Sequence, residues 1–264
     1  MVTIILVVYK SKKNKLNNIL KKIGRKYKII IVDNSYDYDF SKINLSKNIK
    51  IIRSKNNGNG AGINTALKRC KTQYAIYSDI DVNFEKNFIY KLIKSASKIK
   101  DFSLLVPNHG KISNEKEFLE KYNGEAALMM FNLKKIKSKF FFDENFFLYF
   151  EEIDLLTRFK KNNLKSYTVT KLKIKHRRAS SIDEDINKIN YVRNWHYMWS
   201  MFYYYKKNFG FFSALYNTST YLIKDLIMLI FYFFLFDKIK FKIRFYRIFG
   251  ITSSILGFKS FLRP

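Results

Sequence analysis

The stretch Val2-Thr3-Ile4-Ile5-Leu6-Val7-Val8-Tyr9 is an almost unbroken apolar, β-branched run. A run of that length without polar alternation predicts a strand buried on both faces, as strands are in a parallel sheet. The period then changes: Leu16, Ile19, Leu20 and Ile23 recur at helical spacing, and Gly24 stops them. A second buried strand, Lys28 to Val32, ends at Asp33, a third, Ile49 to Arg53, runs into a Gly/Asn loop, and a fourth, Tyr74 to Ser78, ends at Asp79. Ala61 to Arg69 predicts a short helix before the fourth strand. Phe88, Ile89, Leu92, Ile93, Ala96 and Ile99 predict a longer one after it. This alternation is a βαβ series and predicts an α/β domain.

Farther along, Phe102 to Val106 reads as a strand closed by Pro107, and Ala126 to Phe131 is another apolar stretch. A helix carrying Ile153, Leu155, Leu156 and Phe159 follows, then two short strands, Tyr167 to Val169 and Leu172 to Ile174. The polar stretch from Ser180 to Asp185 predicts a linker or helix start, which places the α/β domain at 1–182. Residues 183–264 differ in character. Tyr191, Trp195, Met198, Trp199, Phe202 and Tyr203 form an aromatic helix face, and aromatic and aliphatic residues then mix with Lys and Arg to the end.

With 47% hydrophobic and 18% aromatic residues in 264, the chain can bury a sizeable core and is not a disordered one. Its single cysteine, Cys70, allows no intramolecular disulfide and no cysteine zinc site, which fits a reducing compartment. The apolar start has no basic leader or small-residue cleavage site, so it reads as a strand and the α/β part is expected to stay in the cytoplasm. The net charge of +29 suits nucleic acid, anionic lipid or phosphorylated substrates, but lysines spread along the whole chain equally reflect compositional bias.

Ligands of open α/β sheets bind outside the carboxyl ends of the strands. Those ends hold Tyr9, Asp33-Asn34-Ser35, the loop Asn56-Asn57-Gly58-Asn59-Gly60-Ala61-Gly62, and Ser78-Asp79-Ile80-Asp81. The glycine loop is not a Walker A loop, because no Gly-Lys-Ser/Thr is present. Nor is it a dinucleotide fingerprint, because Ile63 stands where the third glycine belongs. Asp-x-Asp occurs three times, at Asp37/Asp39, Asp79/Asp81 and Asp183/Asp185, and only the middle pair directly follows a buried strand. Two carboxylates there can hold Mg²⁺ or Mn²⁺, with substrate phosphate completing the coordination sphere. Of the three histidines, His176 ends a short strand beside Arg177 and Arg178 and can serve as a metal ligand, whereas His196 lies on the aromatic helix and reads as packing. Glu151-Glu152-Ile153-Asp154 places carboxylates behind an apolar wall, Phe146 to Phe150. That arrangement suits a general base, and equally an acidic helix N-terminus.

In order, these pieces resemble family 2 glycosyltransferases, most closely the rhamnosyltransferase-like branch that builds bacterial surface polysaccharides such as lipopolysaccharide. Val2 to Tyr9 looks like that family's first strand, Ile30 to Ser35 its second, and Asn56 to Asn64 its Asn-rich glycine loop. Gly124 to Met130 and Phe142 to Leu155 are similar to its acceptor-side segments. The resemblance implies a GT-A fold, a Rossmann-like mixed sheet, with a C-terminal helical membrane-associating extension. It also implies inverting transfer from a nucleotide-diphosphate sugar, with rhamnose among the candidates, to a lipid-linked or cell-surface glycan and not to nucleic acid. Tyr9, Asp33, Asn34, Asn57, Gly58, Gly60, Asn64 and Asp79 would contact the donor, and Asp33 the base. Asp81 and His176 would hold Mg²⁺ or Mn²⁺, and Glu152, with Glu151 and Asp154 beside it, would be the base. The chain departs from the family in having Glu151-Glu152 where Glu-Asp is usual, and arginines after His176 where Gly is common. Two rival readings are a basic nucleic-acid-binding protein and a glycosyltransferase-like domain without activity.

The longest uncharged apolar run, Leu226 to Phe236, falls short of the roughly 20 residues a spanning helix needs. Lys238 to Phe249 alternates cations with Ile, Phe and Tyr, so residues 205–264 are expected to lie peripherally on the cytoplasmic face of the membrane.

Overall fold

In the computed structural model, residues 2–110, 112, 115–122, 124, 126–176 and 186–263 are described. Arg177, Arg178, the stretch 180–185 and its Asp183/Asp185 pair lie outside them. The chain divides into two compact units, Met1–Phe142 with Leu155–Asp183, and Asp143–Asp154 with Glu184–Pro264. Residues 143–154, placed by the sequence reading in the α/β domain, thus belong to the second unit.

The first unit is built on the alternation of apolar strands and amphipathic helices. Its sheet strands are β1 (Val2–Val8), β2 (Lys28–Asp33), β3 (Ile49–Arg53), β4 (Tyr74–Ser78), β6 (Leu104–Asn108), β7 (Phe118–Glu120), β8 (Leu128–Asn132) and β9 (Ser166–Lys173). They lie in the order β3-β2-β1-β4-β8-β6-β9-β7. β1 pairs in parallel with both β2 and β4, and β2 with β3, whereas β8 runs antiparallel to β4 and β6. The sheet is therefore mixed. The two short strands expected at 167–169 and 172–174 are one strand, β9. Its pairing with β6 jumps from Pro107↔Val169 to Asn108↔Lys173, so the break in apolar pattern marks a register irregularity and not a strand end.

Side chains alternate between the faces of β1 as the pleat requires. Ile4, Leu6 and Val8 join a core with Leu16, Ile19, Leu20 and Ile23 of α1 (Lys13–Ile23) and Phe88, Ile89 and Leu92 of α3 (Phe88–Ala96). Ile5 faces the other core, with Ile63, Ala66 and Leu67 of α2 (Asn59–Leu67) and Leu155, Leu156 and Phe159 of α4 (Glu151–Lys161). Burial on both faces is why the strand reads as one unbroken apolar run.

The second unit holds α5 (Ile186–Phe209), α6 (Phe211–Phe234) and α7 (Lys238–Ile255) around Met198, Met201, Phe202, Ala214 and Ile251. Asp225 is buried on α6 and accepts from Arg244 Nη1 and Arg247 Nε of α7, both at 2.7 Å. His196 is buried, stacked on Phe147, with Nε2 2.8 Å from the Leu262 carbonyl. Burial pushes its pKa down to about 4, so it packs as a neutral ring.

Helices α5 and α7 meet backbone to backbone at Gly250. A Cβ there would lie inside the van der Waals envelope of the Trp195 carbonyl oxygen and only 3.1 Å from Trp195 Cα. Alanine would gain about 1 kcal/mol of helix propensity. Forcing a methyl into packed backbone costs typically 1–3 kcal/mol and more where nothing can yield. Gly250→Ala is therefore expected to lower the stability of the second unit by about 1–2 kcal/mol net, measurable as a lower midpoint in urea unfolding followed by the Trp195 and Trp199 fluorescence.

Candidate active site

Strand β4 ends at Ser78, and the chain turns through Asp79, Ile80 and Asp81 into β5 (Val82–Asn83). β5 pairs antiparallel with β10 (Lys175–His176), in the register His176↔Val82. This two-residue ribbon sets a histidine from the end of the first unit beside the aspartates that follow β4. His176 Nε2 lies 3.1 Å from Asp81 Oδ1 and 3.5 Å from Asp79 Oδ2. One ligand atom from each of the three residues falls within 4.8 Å of the others. Two carboxylates and one imidazole make a hard, oxygen-rich donor set that suits Mn²⁺ or Mg²⁺. Among the described residues this is the one such group. It holds Asp79, a candidate donor contact by sequence, together with the expected ligands Asp81 and His176.

Asp79 is also held from behind. Tyr77, two residues earlier on the same face of β4, gives its hydroxyl to Asp79 Oδ1, and the Tyr77 hydroxyl oxygen also lies 3.2 Å from Asn59 Oδ1 of α2. Sequence reasoning passed over Tyr77, although the period of two on a strand points it at Asp79. Burial raises the Asp79 pKa to about 6, against the Tyr77 hydrogen bond and His176, which lower it, while the charge of Asp81 adds to the rise. A protonated Asp79 brings no charge to a cation, so metal ion and proton compete. Cation affinity is expected to fall by at least about tenfold per pH unit below pH 6, since His176 too must be neutral to bind, as a Mn²⁺ titration followed by electron paramagnetic resonance would show.

The other Asp-x-Asp within the described residues has a different task. Asp39 pairs with Lys13 and accepts from Ser41 N at 2.8 Å. The Lys13 ammonium and these turn hydrogen bonds hold its carboxyl well below the usual range. It is an exposed turn residue.

At the ends of β1 and β2, Asp33 is buried, and its carboxylate accepts from Ser35 N at 2.8 Å and Tyr38 N at 3.0 Å. It therefore shapes the turn that any base contact would use. Asn34 is buried too; its Nδ2 donates to the Gly58 carbonyl at 3.2 Å, while its Oδ1 accepts no hydrogen bond among the described residues. Tyr9 is half-buried with Lys10 over its ring, and Asn57 is exposed in the glycine loop. Gly58 opens α2 at φ 104°, a conformation that favours glycine. The next glycines serve packing. A Cβ on Gly60 would meet Phe142 Cβ at 3.0 Å, and one on Gly62 would meet Val7 and Asn34 at 2.9 Å. Asn64 is a clamp: Nδ2 donates to the Phe142 carbonyl at 2.9 Å and Oδ1 accepts from Phe142 N at 3.0 Å. Asn64 and Gly60, candidates for the donor by sequence, thus hold α2 against the Phe142 segment.

In the second unit, Glu151, Glu152 and Asp154 occupy the first turn of α4, where their charges complement the helix dipole. Asp154 is buried and accepts from Lys207 Nζ at 2.8 Å and Asn208 Nδ2 at 3.0 Å. Within the second unit it ties the residues that open α4 to α5. Glu151 is buried and Glu152 half-buried. Immediately before them, Tyr149 and Phe150 both sit in the left-handed region, at φ 67° and 66°. Such a conformation costs a bulky L-residue roughly 1–2 kcal/mol. It is held by Arg193 Nε donating to Tyr149 Oη at 2.7 Å and by Tyr197 and Tyr204 against Phe150. Two consecutive strained residues that aim the first turn of a helix are a mark of functional sites.

The model of the glycosyl transferase family 2 matches residues 3–158, which is more than half of the chain. No curated protein matches the sequence. Among solved structures, the chain is similar to the mannosyltransferase PcManGT from Pyrobaculum calidifontis, solved with GDP-Man and Mn²⁺, at 10% identity over 96% of this chain and 86% of that one, with a TM-score of 0.58. It is also similar to residues 1–349 of TarS from S. aureus, at 12% identity over 97% and 91% of the two chains, TM-score 0.54. At these identities the likeness speaks for the fold, a GT-A type of mixed α/β sheet. With the family match covering every strand from β1 to β8 and both aspartates of the metal-ligating group, this chain belongs to glycosyl transferase family 2.

Proposed function

We propose that this chain is an inverting, metal-assisted glycosyltransferase that moves a sugar, a hexose or a 6-deoxyhexose such as rhamnose, from a nucleoside-diphosphate donor to a hydroxyl of a lipid-linked or cell-surface glycan. We further propose that it works peripherally at the cytoplasmic face of the membrane. The observation that carries the reading is the Asp79–Asp81–His176 group at the carboxyl end of β4, whose two aspartates lie within the family 2 match. A divalent cation held there would neutralise charge on the departing diphosphate. Asp81 and Asp79 bring the negative charge that such a site needs, and Tyr77 orients Asp79. Asp33 keeps the β2 turn in shape for the nucleotide base, with Tyr9, Asn34, Asn57 and Gly58 around it. Glu152 takes the proton from the attacking hydroxyl, and the strained Tyr149–Phe150 pair fixes the turn that presents it. GDP-Man, with which the PcManGT structure is in complex, belongs in the panel of candidate donors.

The test is release of nucleoside diphosphate from a panel of UDP-, GDP- and dTDP-sugars with Mn²⁺, beside thermal shifts with the free nucleotides, DNA and RNA. Turnover of one donor is the expected result. Nucleotide binding without turnover would favour an inactive relative, and stabilisation by nucleic acid alone would overturn the reading.

A further inference from the structure

Resting on the reading that the protein works at a membrane surface, we propose that α6 is the element that enters the lipid interface, lying lengthwise with its outer face in an anionic bilayer. Phe212, Tyr216, Ile223, Ile227, Ile230 and Phe234 recur every three, four or seven residues along α6, so they share one face, and all are exposed. The opposite face carries the buried Ala214, Thr218 and Asp225. Phe212 is 84% exposed at one end, and Phe236, in the turn after the helix, is 87% exposed at the other. The ridge thus runs the full 24 residues of α6, about 36 Å. An apolar strip of that length, interrupted for one turn by Ser219 and Thr220, marks an interaction surface.

Charge decides what covers it. Residues 205–264 carry ten Lys and Arg against two Asp. Both aspartates are engaged: Asp225 is buried against Arg244 and Arg247, and Asp237 caps α7, accepting from Lys240 N at 3.0 Å. No carboxylate of this segment is left to meet a cation, so a second copy seated on the same ridge would set like charge against like. An anionic headgroup layer would instead meet Lys238, Lys240 and Lys242, exposed just beyond the α6–α7 turn, and Lys224 beside the ridge. Among the described residues no helix is long and apolar enough to cross a membrane. An in-plane amphipathic helix has this makeup, apolar on one side and flanked by lysine.

The alternating stretch Lys238 to Phe249, which the sequence points to as the contact, is the weaker candidate. Alternation by two makes one face of a strand, but on a helix it scatters cations around the axis, and Arg244 and Arg247 of α7 turn inward to Asp225.

The test uses the full chain, sedimented with phosphatidylcholine vesicles with and without phosphatidylglycerol. Wild type is expected to bind the anionic vesicles, and Ile227→Glu/Ile230→Glu to lose about 10-fold or more in affinity while melting normally, because both side chains are already exposed. A second readout keeps an unstable variant from deciding the matter. Phe234→Cys in a Cys70→Ser background, carrying an environment-sensitive fluorophore, is expected to be quenched by nitroxides on the lipid acyl chains. If wild type binds and neither the double variant nor the quenching shows involvement of α6, this proposal fails while the membrane reading stands. If wild type binds no vesicles, the membrane reading fails. A dimer in light scattering that Ile227→Glu/Ile230→Glu dissociates, without vesicle binding, would overturn the proposal in favour of a second copy.

Discussion

Glu152→Gln is expected to lower sugar transfer by roughly 10²–10⁴-fold and to leave donor affinity within a few-fold, since the amide keeps the shape of the side chain and removes the base. That range corresponds to about 3–5 kcal/mol of transition-state stabilisation. The neighbours make the assignment testable, Asp154 because the structure gives it another duty and Glu151 because it is buried. Asp154 is locked to Lys207 and Asn208, so Asp154→Asn should appear mainly as a lower melting temperature. Glu151 is buried against the helix start and should behave likewise when changed to Gln. Turnover measured under donor saturation, set beside melting curves for all three variants, separates a base from a brace. Near-normal turnover in Glu152→Gln, with loss in Glu151→Gln, would move the base by one residue.

The second large effect is expected at the cation. Excess EDTA should reduce transfer to background, and Mn²⁺ or Mg²⁺ should restore it. Asp81→Ala should weaken Mn²⁺ binding by more than the roughly 10–100-fold typical of outer-shell changes, and more than His176→Ala does, because the carboxylate brings charge where the imidazole brings only a lone pair. Donor affinity measured by calorimetry should follow the metal affinity in both variants. Tyr77→Phe is a graded companion: it removes the hydroxyl that holds Asp79 and keeps the ring in the core, so a loss within the outer-shell range is expected. Full transfer in EDTA would remove the basis for assigning these residues to a metal.

The sequence by itself determined the elements whose signals are local and periodic. Burial on both faces made β1, β2 and β4 legible as unbroken apolar runs. One-sided burial made α1 and α3 legible through Leu16, Ile19, Leu20, Ile23 and Phe88, Ile89, Leu92. Position after a buried strand singled out Asp79 and Asp81 from the other Asp-x-Asp pairs for the same reason, since a strand end fixes where the next side chains point. What depended on contacts distant in sequence was decided only by the tertiary structure. His176 becomes a neighbour of Asp81 through a two-residue ribbon too short to leave a periodic trace. Gly60, Gly62 and Asn64 read as a ligand loop, yet much of their work is packing against Phe142, Val7 and Asn34, which no local pattern encodes. The final helices show the limit most plainly. An alternating run of Lys and aromatics carries no sign of which cations will be drawn inward, and it is the burial of Asp225 that turns Arg244 and Arg247 toward the protein and leaves the apolar face of α6 outward. A buried charge must find its partners wherever the fold places them, and that placement is a property of the packed helices and not of any stretch of chain.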